Sequence, residues 1–310
     1  MTPTCHCHHT PHHPAAAPGA PVNQPQSTFT GKILDYVLPR NEVTGKREIR
    51  IIPLGIEKFL GSLNYDSICP MRSTTTDAAL TAKVQHIFKK LVDQCPRKNL
   101  DWEIRVMKDD ATVNAFCLPG GKVVITTGMI NKLNSRLDAT QEEQFKDLTF
   151  EDNVAAVLGH EITHAAAGHS ARAIQFNLLL FTVGKIISYV VIPFYLLKDR
   201  TRRDSARTAE AAAQGVDLLC RFATYLFVQK NSRDHEFEAD EFGIKLAHKA
   251  GFNIQASERL QVLFLEMSGK KVGANTHAVE KGLQLFSSHP PSQERLDKNR
   301  ATILQLTTPS

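Results

Sequence analysis

The residues whose types and spacing promise chemistry are His160-Glu161-Ile162-Thr163-His164. On a helix the two histidines stand one turn apart, so both imidazoles leave the same face and can share one tetrahedral zinc. Glu161 lies beside them, within reach of a water on that metal. Among 310 residues with 13 histidines, such a pattern arises by chance about 0.03 times, so coincidence explains it poorly. The flanking sequence supplies the helix. Thr149 can cap it, Glu151 and Asp152 fill its first turn, and Val154, Val157, Leu158 and Ile162 form an apolar stripe.

A third ligand must come from elsewhere. The metzincin pattern wants Gly and His where Ala167 and Ser170 stand. On a continuing helix His169 would point about 180° away from His160, which reads as a helix-end contact. Glu236, in Ser232-Arg233-Asp234-His235-Glu236-Phe237-Glu238-Ala239-Asp240, is the better candidate. Ser232 is a natural N-cap. Glu236, Ala239, Asp240 and Gly243 share a helical face, while Glu238, Glu241 and Lys245 point elsewhere. Ala239 and Gly243 are small enough to let another helix approach. Glu236 then completes a His-His-Glu set with one position left for water, and Asp240 can accept a hydrogen bond from a ligating imidazole. The competing reading is an acid-rich surface helix, which leaves the small residues unexplained.

The elements that position these residues follow from periodicity. Residues 76–93 form an amphipathic helix, with Leu80, Val84, Ile87, Phe88, Leu91 and Val92 at helical spacing. Residues 47–52 read as a short strand ended by Pro53, and 56–61 as a helical turn closed by Gly61. Trp102, Ile104 and Val106 alternate with charges as a half-buried strand. Asn114 to Thr127 reads as strand, Pro119-Gly120-Gly121 turn, strand. After Gly128 nearly everything is helical, so the expected fold class is α+β: a mainly helical domain with a small β-sheet. The organisation is a disordered His-, Pro- and Ala-rich tail (1–28), a lead-in segment (29–72) and a catalytic-type domain (73–305). That domain carries an apolar insert at about 173–229.

Composition narrows the classes. Apolar residues are 42% and charged residues 22% of the chain, which excludes collagen-like, fully disordered and polytopic membrane classes. A net charge of +5 comes with no nucleic-acid motif, so no nucleic-acid partner is expected. Six irregularly spaced cysteines make no disulfide framework and point to a reducing compartment. The histidines of the tail have no second ligand cluster at zinc-finger spacing, so it reads as low-complexity sequence. No secretory signal is expected. The first 34 residues hold no acid, as a mitochondrial presequence would, but no arginine either.

Taken together, the motifs resemble the gluzincin family that includes HtpX and the CAAX prenyl proteases. Asn114-Ala115-Phe116-Cys117-Leu118-Pro119-Gly120-Gly121 is similar to that family's Asn-Ala-Phe-Ala-Leu-Pro-Gly-Gly, with Cys117 in place of Ala. Ser288-His289-Pro290-Pro291-Ser292-Gln293-Glu294-Arg295 resembles its C-terminal His-Pro-Pro and Glu-Arg segment. Val43 to Arg47 and Phe59-Leu60-Gly61 look like the Oma-type mitochondrial inner-membrane branch. The resemblance implies a zincin-like metallopeptidase fold with one zinc per chain on His160, His164 and Glu236, and Glu161 as general base. It implies that His289 and Arg295 steady the oxyanion. It also implies that strand 122–127 is the edge to which a substrate chain pairs, so that Asn114, Ala115, Phe116, Val123, Val124 and Ile125 bind substrate.

Phe176 to Leu197 is long enough for a bilayer core, about 33 Å as a helix. Its fourteen Leu, Ile, Phe and Val residues favour insertion by roughly 4–8 kcal/mol, against roughly 2.5–3.5 kcal/mol for Lys185. The segment lies between His164 and Glu236, which must meet at one metal, so crossings between them must be even in number. Either one apolar helix rests on protein or lipid surface, or 209–229 returns beside it as a hairpin. The hairpin would gather Lys198, Arg200, Arg202, Arg203 and Arg207 at its tip. The expected partners are polypeptide substrates, membrane proteins foremost, with membrane contact; homo-oligomerisation is left open. The expected location is the mitochondrial inner membrane and the expected task protein quality control. The alternatives are a non-catalytic zinc-stabilised membrane scaffold, which would not need Glu161, or an HtpX-like peptidase of another membrane.

Overall fold

The computed structural model describes residues 38–135, 139–192, 205–269 and 289–308. The proposed disordered tail lies outside them, as do Ser288, Lys198, Arg200, Arg202 and Arg203 and the side chains of Arg207, Asp217 and Arg221. The elements are α1 (Leu54–Ile68), α2 (Ala78–Gln94), β1 (Glu103–Met107), β2 (Ala115–Leu118), β3 (Lys122–Thr126), α3 (Thr127–Leu133), α4 (Ala139–Glu142), α5 (Phe150–Ala167), α6 (His169–Ile186), α7 (Ser205–Lys249), α8 (Gln255–Met267) and α9 (Gln293–Thr307). A π-helical stretch, Ile187–Val191, continues α6. The α+β expectation holds.

The centre is α5. The Thr149 side chain accepts from Asp152 N while the Asp152 carboxylate accepts from Thr149 N, a complete capping box. Burial exceeds the expected stripe: every residue from Asp152 to Ala167 is buried, so α5 is wrapped on all sides by α2, α7, α8 and β2. The amphipathic helix α2 starts two residues later than its period predicts, capped by Asp77, and buries Val84, Ile87, Phe88 and Leu91.

The sheet order is β1-β3-β2. β1 runs parallel to β3 (Ile104 opposite Val123), and β2 is antiparallel to it (Ala115 opposite Ile125, Leu118 opposite Lys122). The Pro-Gly-Gly hairpin is therefore present. The expected edge is not: β3 is the central strand, its backbone paired on both sides. Val123, Val124 and Ile125 are fully buried and cannot receive a substrate chain. Their unbroken apolar run, where an edge strand over one face would alternate, is the mark of that position.

Two lead-in expectations are corrected. Residues 47–52 are no strand; among the described residues this stretch makes only an isolated bridge, Arg47 to Arg40. Its backbone is held by a side-chain amide instead. Gln175 Oε1 on α6 accepts from Ile51 N and Ile52 N, and Gln175 Nε2 donates to Ile49 O. Gly61 does not close a turn but sits inside α1. A Cβ there would lie 1.8 Å from Pro119 O, so its role is to let α1 rest directly on the hairpin turn. The other end of α1 is pinned by a buried pair, Arg97 to Glu57 at 2.6 Å; Arg97 also donates to the Ala165 and Ala166 carbonyls at the end of α5.

The helix α6 with its π-helical continuation packs along α7, so the insert takes the hairpin form in this region. His169–Val191 is long and apolar enough to cross a membrane, and almost none of it is buried. The Gly61 contact yields a test. In denaturant unfolding, Gly61→Ala should lose about 1–3 kcal/mol or more as an overpacking change. Gly55→Ala, in the same helix with nothing within 4 Å of the added Cβ, should stay within about 0.5 kcal/mol of the parent.

Candidate active site

The site begins where α5 crosses α7. A Cβ on Gly159 would stand 2.9 Å from Gly243 O, and one on Gly243 would stand 2.9 Å from His160 N. Ala239, one turn before Gly243, is fully buried. The small face read from the sequence is thus the contact itself, and it brings Glu236 and Asp240 of α7 against His160 and His164 of α5. The Nε2 atoms of His160 and His164 are 3.0 Å apart. Glu236 reaches them with Oε2 at 3.4 Å and Oε1 at 3.2 Å respectively. His289, from the segment before α9, joins the cluster: its Nδ1 is 3.0 Å from both Glu236 oxygens and 3.2 Å from His160 Nε2. Donor atoms of His160, His164, Glu236 and His289 all lie within 4.8 Å of one another. Imidazole nitrogens with one carboxylate are the donor set of a catalytic zinc. Glu161 adds a second sign of fit, since its Oε2 is buried without a hydrogen-bond partner.

The outer faces of the imidazoles are also held. Asp240 Oδ1 lies 3.0 Å from His160 Nδ1, the contact expected of it. Arg295 differs from expectation. Its Nε and Nη2 donate to the two Asp240 oxygens at 2.7 Å each, and its Nη1 lies 2.9 Å from Glu236 Oε2. The fork is therefore spent on neutralising two buried carboxylates and is not free to meet an oxyanion. His289 keeps its Nε2 3.4 Å from Glu161 Oε1.

Electrostatics follow from burial and these pairs. Burial opposes the charge on His160, but the bonds to Asp240 and Glu236 outweigh it and push its pKa up to about 10. Burial pulls His164 down to about 3, against the pull of Glu236. Burial likewise opposes ionisation of Glu236 and Asp240, yet the groups facing them, His289 and Arg295 for the first and Arg295 for the second, hold both below the usual carboxylate range. Glu161 goes the other way: burial raises it, only partly offset by His289 and His160. A carboxyl raised in this way is a better proton acceptor than a free one. Burial, with Glu161 nearby, raises the Cys117 thiol well above its ordinary value, so it is no thiolate nucleophile.

Of the residues expected to bind substrate, Asn114, Ala115 and Phe116 lie at β2, which packs on α5. Asn114 Oδ1 is buried without a partner. Among the described residues β2 has β3 on one side and no strand on the other, so the free edge beside α5 belongs to β2. An apolar cavity wall of Met129, Val157, Leu260 and Phe264 adjoins His160, Glu161 and His289. Glu238 lies off the Glu236 face, as expected, and its Oε2 is 3.3 Å from His169 Nε2. His169 itself does not face away: its Nδ1 is 2.8 Å from His164 Nδ1. The cause is Gly168, whose left-handed conformation (φ 72°) ends α5 and turns the chain back. A glycine directly after a helical period was the available signal.

The profile of peptidase family M48 matches residues 78–303. Among similar proteins, the mitochondrial metalloendopeptidase OMA1 of Schizosaccharomyces pombe is 26% identical over 268 residues, covering 86% of this chain and 65% of that protein. The human mitochondrial metalloendopeptidase OMA1 is 27% identical over 267 residues, 82% of this chain and 42% of that protein. The metalloprotease YcaL of Escherichia coli is 27% identical over 197 residues, 62% of this chain and 58% of that protein. The chain thus spans less than two thirds of the length of these curated relatives.

The place of Arg295 is checked by Arg295→Met. Stranding Asp240 and Glu236 as unpaired buried carboxylates should cost about 3–5 kcal/mol of unfolding free energy, read by denaturant titration of the metal-free protein.

Proposed function

The chain belongs to peptidase family M48, and from that premise we propose that it is a zinc-dependent endopeptidase working at a membrane. The observation that carries the reading is the convergence of four donor-bearing side chains within 4.8 Å beside a Glu161 oxygen with no other partner. His160, His164 and Glu236 would hold one zinc. When bound, that ion supplies Lewis acidity and lowers the pKa of water to about 7. Glu161 takes the proton of the attacking water and passes it to the leaving amine; its raised carboxyl suits both steps. His289 is the one member of the cluster that lies on neither α5 nor α7. With its Nε2 directed to the same space as Glu161, it would donate to the developing oxyanion and not serve as a ligand. Arg295 acts indirectly, fixing Glu236 and Asp240. A substrate chain adds as a strand to the free edge of β2, with Asn114 Oδ1 as an extra acceptor.

Location is supported by two facts. Similar proteins carry mitochondrial names, and only Gly168 separates the exposed apolar helix α6 from the end of the metal-binding helix. A site at the foot of such a helix favours membrane-protein substrates. We place the chain at the mitochondrial inner membrane, in protein quality control.

Two measurements test this. Purified with zinc, wild type and Glu161→Gln should both hold one zinc per chain, while cleavage of casein or a membrane peptide falls about 10²–10⁴-fold in the variant; equal cleavage by the two would remove Glu161 as base. In a flotation assay the chain should rise with liposomes. Full recovery in the soluble fraction without detergent would sink the membrane placement.

A further inference from the structure

The two imidazoles of the metal-binding helix are supported in different ways, and one support is not accounted for by the reaction. His160 rests its outer nitrogen directly on Asp240. His164 turns its Nε2 to Glu236, and its Nδ1 meets His169 Nδ1 at 2.8 Å. Two bare nitrogens, or two protonated ones, would repel at that distance, so one carries the hydrogen and the other a lone pair. The opposite end of His169 decides which. Its Nε2 lies 3.3 Å from Glu238 Oε2, and a carboxylate only accepts. With its single ring hydrogen on Nε2, facing that carboxylate, His169 offers a lone pair at Nδ1. His164 must then carry its hydrogen on Nδ1 and leave Nε2 bare, the form a metal needs.

We propose that His169 and Glu238 are positioning residues that fix the tautomer and orientation of the metal ligand His164, and that the lead-in segment anchors them. The proposal rests on the zinc reading above. The His169 ring is buried and stacked on His235, with centroids 4.1 Å apart and planes 8° apart, so it cannot swing. Glu238 accepts from Lys46 Nζ at 2.6 Å and lies 3.5 Å from Arg172, which also pairs with Glu48 at 2.5 Å. Asn41 Nδ2 donates to Glu48 and to Ala167 O, the last residue of α5, at 2.8 Å each. Asn41, Lys46 and Glu48 all precede the family-matched residues 78–303. The metal site is thus completed from outside the segment that defines the family.

The test is zinc affinity of the full chain, measured by competition with a chromophoric chelator, with the visible spectrum of the cobalt(II)-loaded protein beside it. His169→Ala and Glu238→Ala should each weaken zinc binding about 10–100-fold and shift the cobalt bands. The double variant should be no worse than His169→Ala, because both act through one chain of contacts. His169→Asn should recover most of the affinity, since its Oδ1 can accept from His164 Nδ1. Should His169→Ala fail to fold by circular dichroism, Glu238→Ala carries the test, its side chain being partly exposed. Folded variants with zinc affinity within twofold of wild type and unchanged cobalt bands would overturn the inference while leaving the zinc reading intact. A wild-type chain that takes up no zinc would overturn both.

Discussion

The contact between Gly159 and Gly243 sets what the rest of the structure can do. The metal ligands come from two helices distant in sequence, and their separation is fixed by how closely those backbones pass. At 2.9 Å from an added Cβ, even an alanine at either glycine would force the two backbones apart. Ala239 continues the same close seam. A ligand set that must converge to within a few ångströms tolerates little such displacement, so packing here is also metal chemistry.

That close seam creates an electrostatic problem. Glu161, Glu236 and Asp240 are all buried, and uncompensated charge in such a place is costly. Arg295 answers for two of them with a bidentate bond to Asp240 and a third contact to Glu236. Glu161 is left with one oxygen unpartnered, the only carboxylate of the three not consumed by structure. The division follows function: the acids that position ligands are saturated, and the acid that must exchange a proton is not. A second buried pair, Arg97 with Glu57, ties α1 to the last carbonyls of α5, so both ends of the metal-binding helix are fixed, one by its capping box and the other by Arg97 and Asn41.

Against this core, α6 and its π-helical continuation present Leu178, Phe181, Ile186, Tyr189 and Val190 to the outside. Lys185, the residue that weighs against insertion, lies 5.3 Å from the rings of both Phe181 and Tyr189, which lowers the cost of an ammonium on an apolar face. The apolar helix and the chemical site are separated by a single glycine, so whatever orients α6 also bears on the C-terminal end of the helix that holds His160 and His164.

Local patterns in the sequence determined a good deal: the helix of His160 and His164 with its Thr149 cap, the shared face of Glu236, Ala239, Asp240 and Gly243, the Pro-Gly-Gly hairpin, and the family from motif order. Each depends on spacing within one element, where helical or strand period dictates which side chains lie together. Tertiary structure alone decided the rest. Strand order made β3 central and moved the free edge to β2, because a strand's neighbours are chosen by packing and not by its own residues. Arg295 turned from the expected oxyanion to two carboxylates once α9 lay against α7. His169 came back to face His164 because one left-handed glycine redirected the chain, and its partner Glu238 acquired meaning only when the lead-in segment supplied Lys46. Periodicity reports which face a residue occupies; what that face meets is set by contacts between elements far apart in the chain.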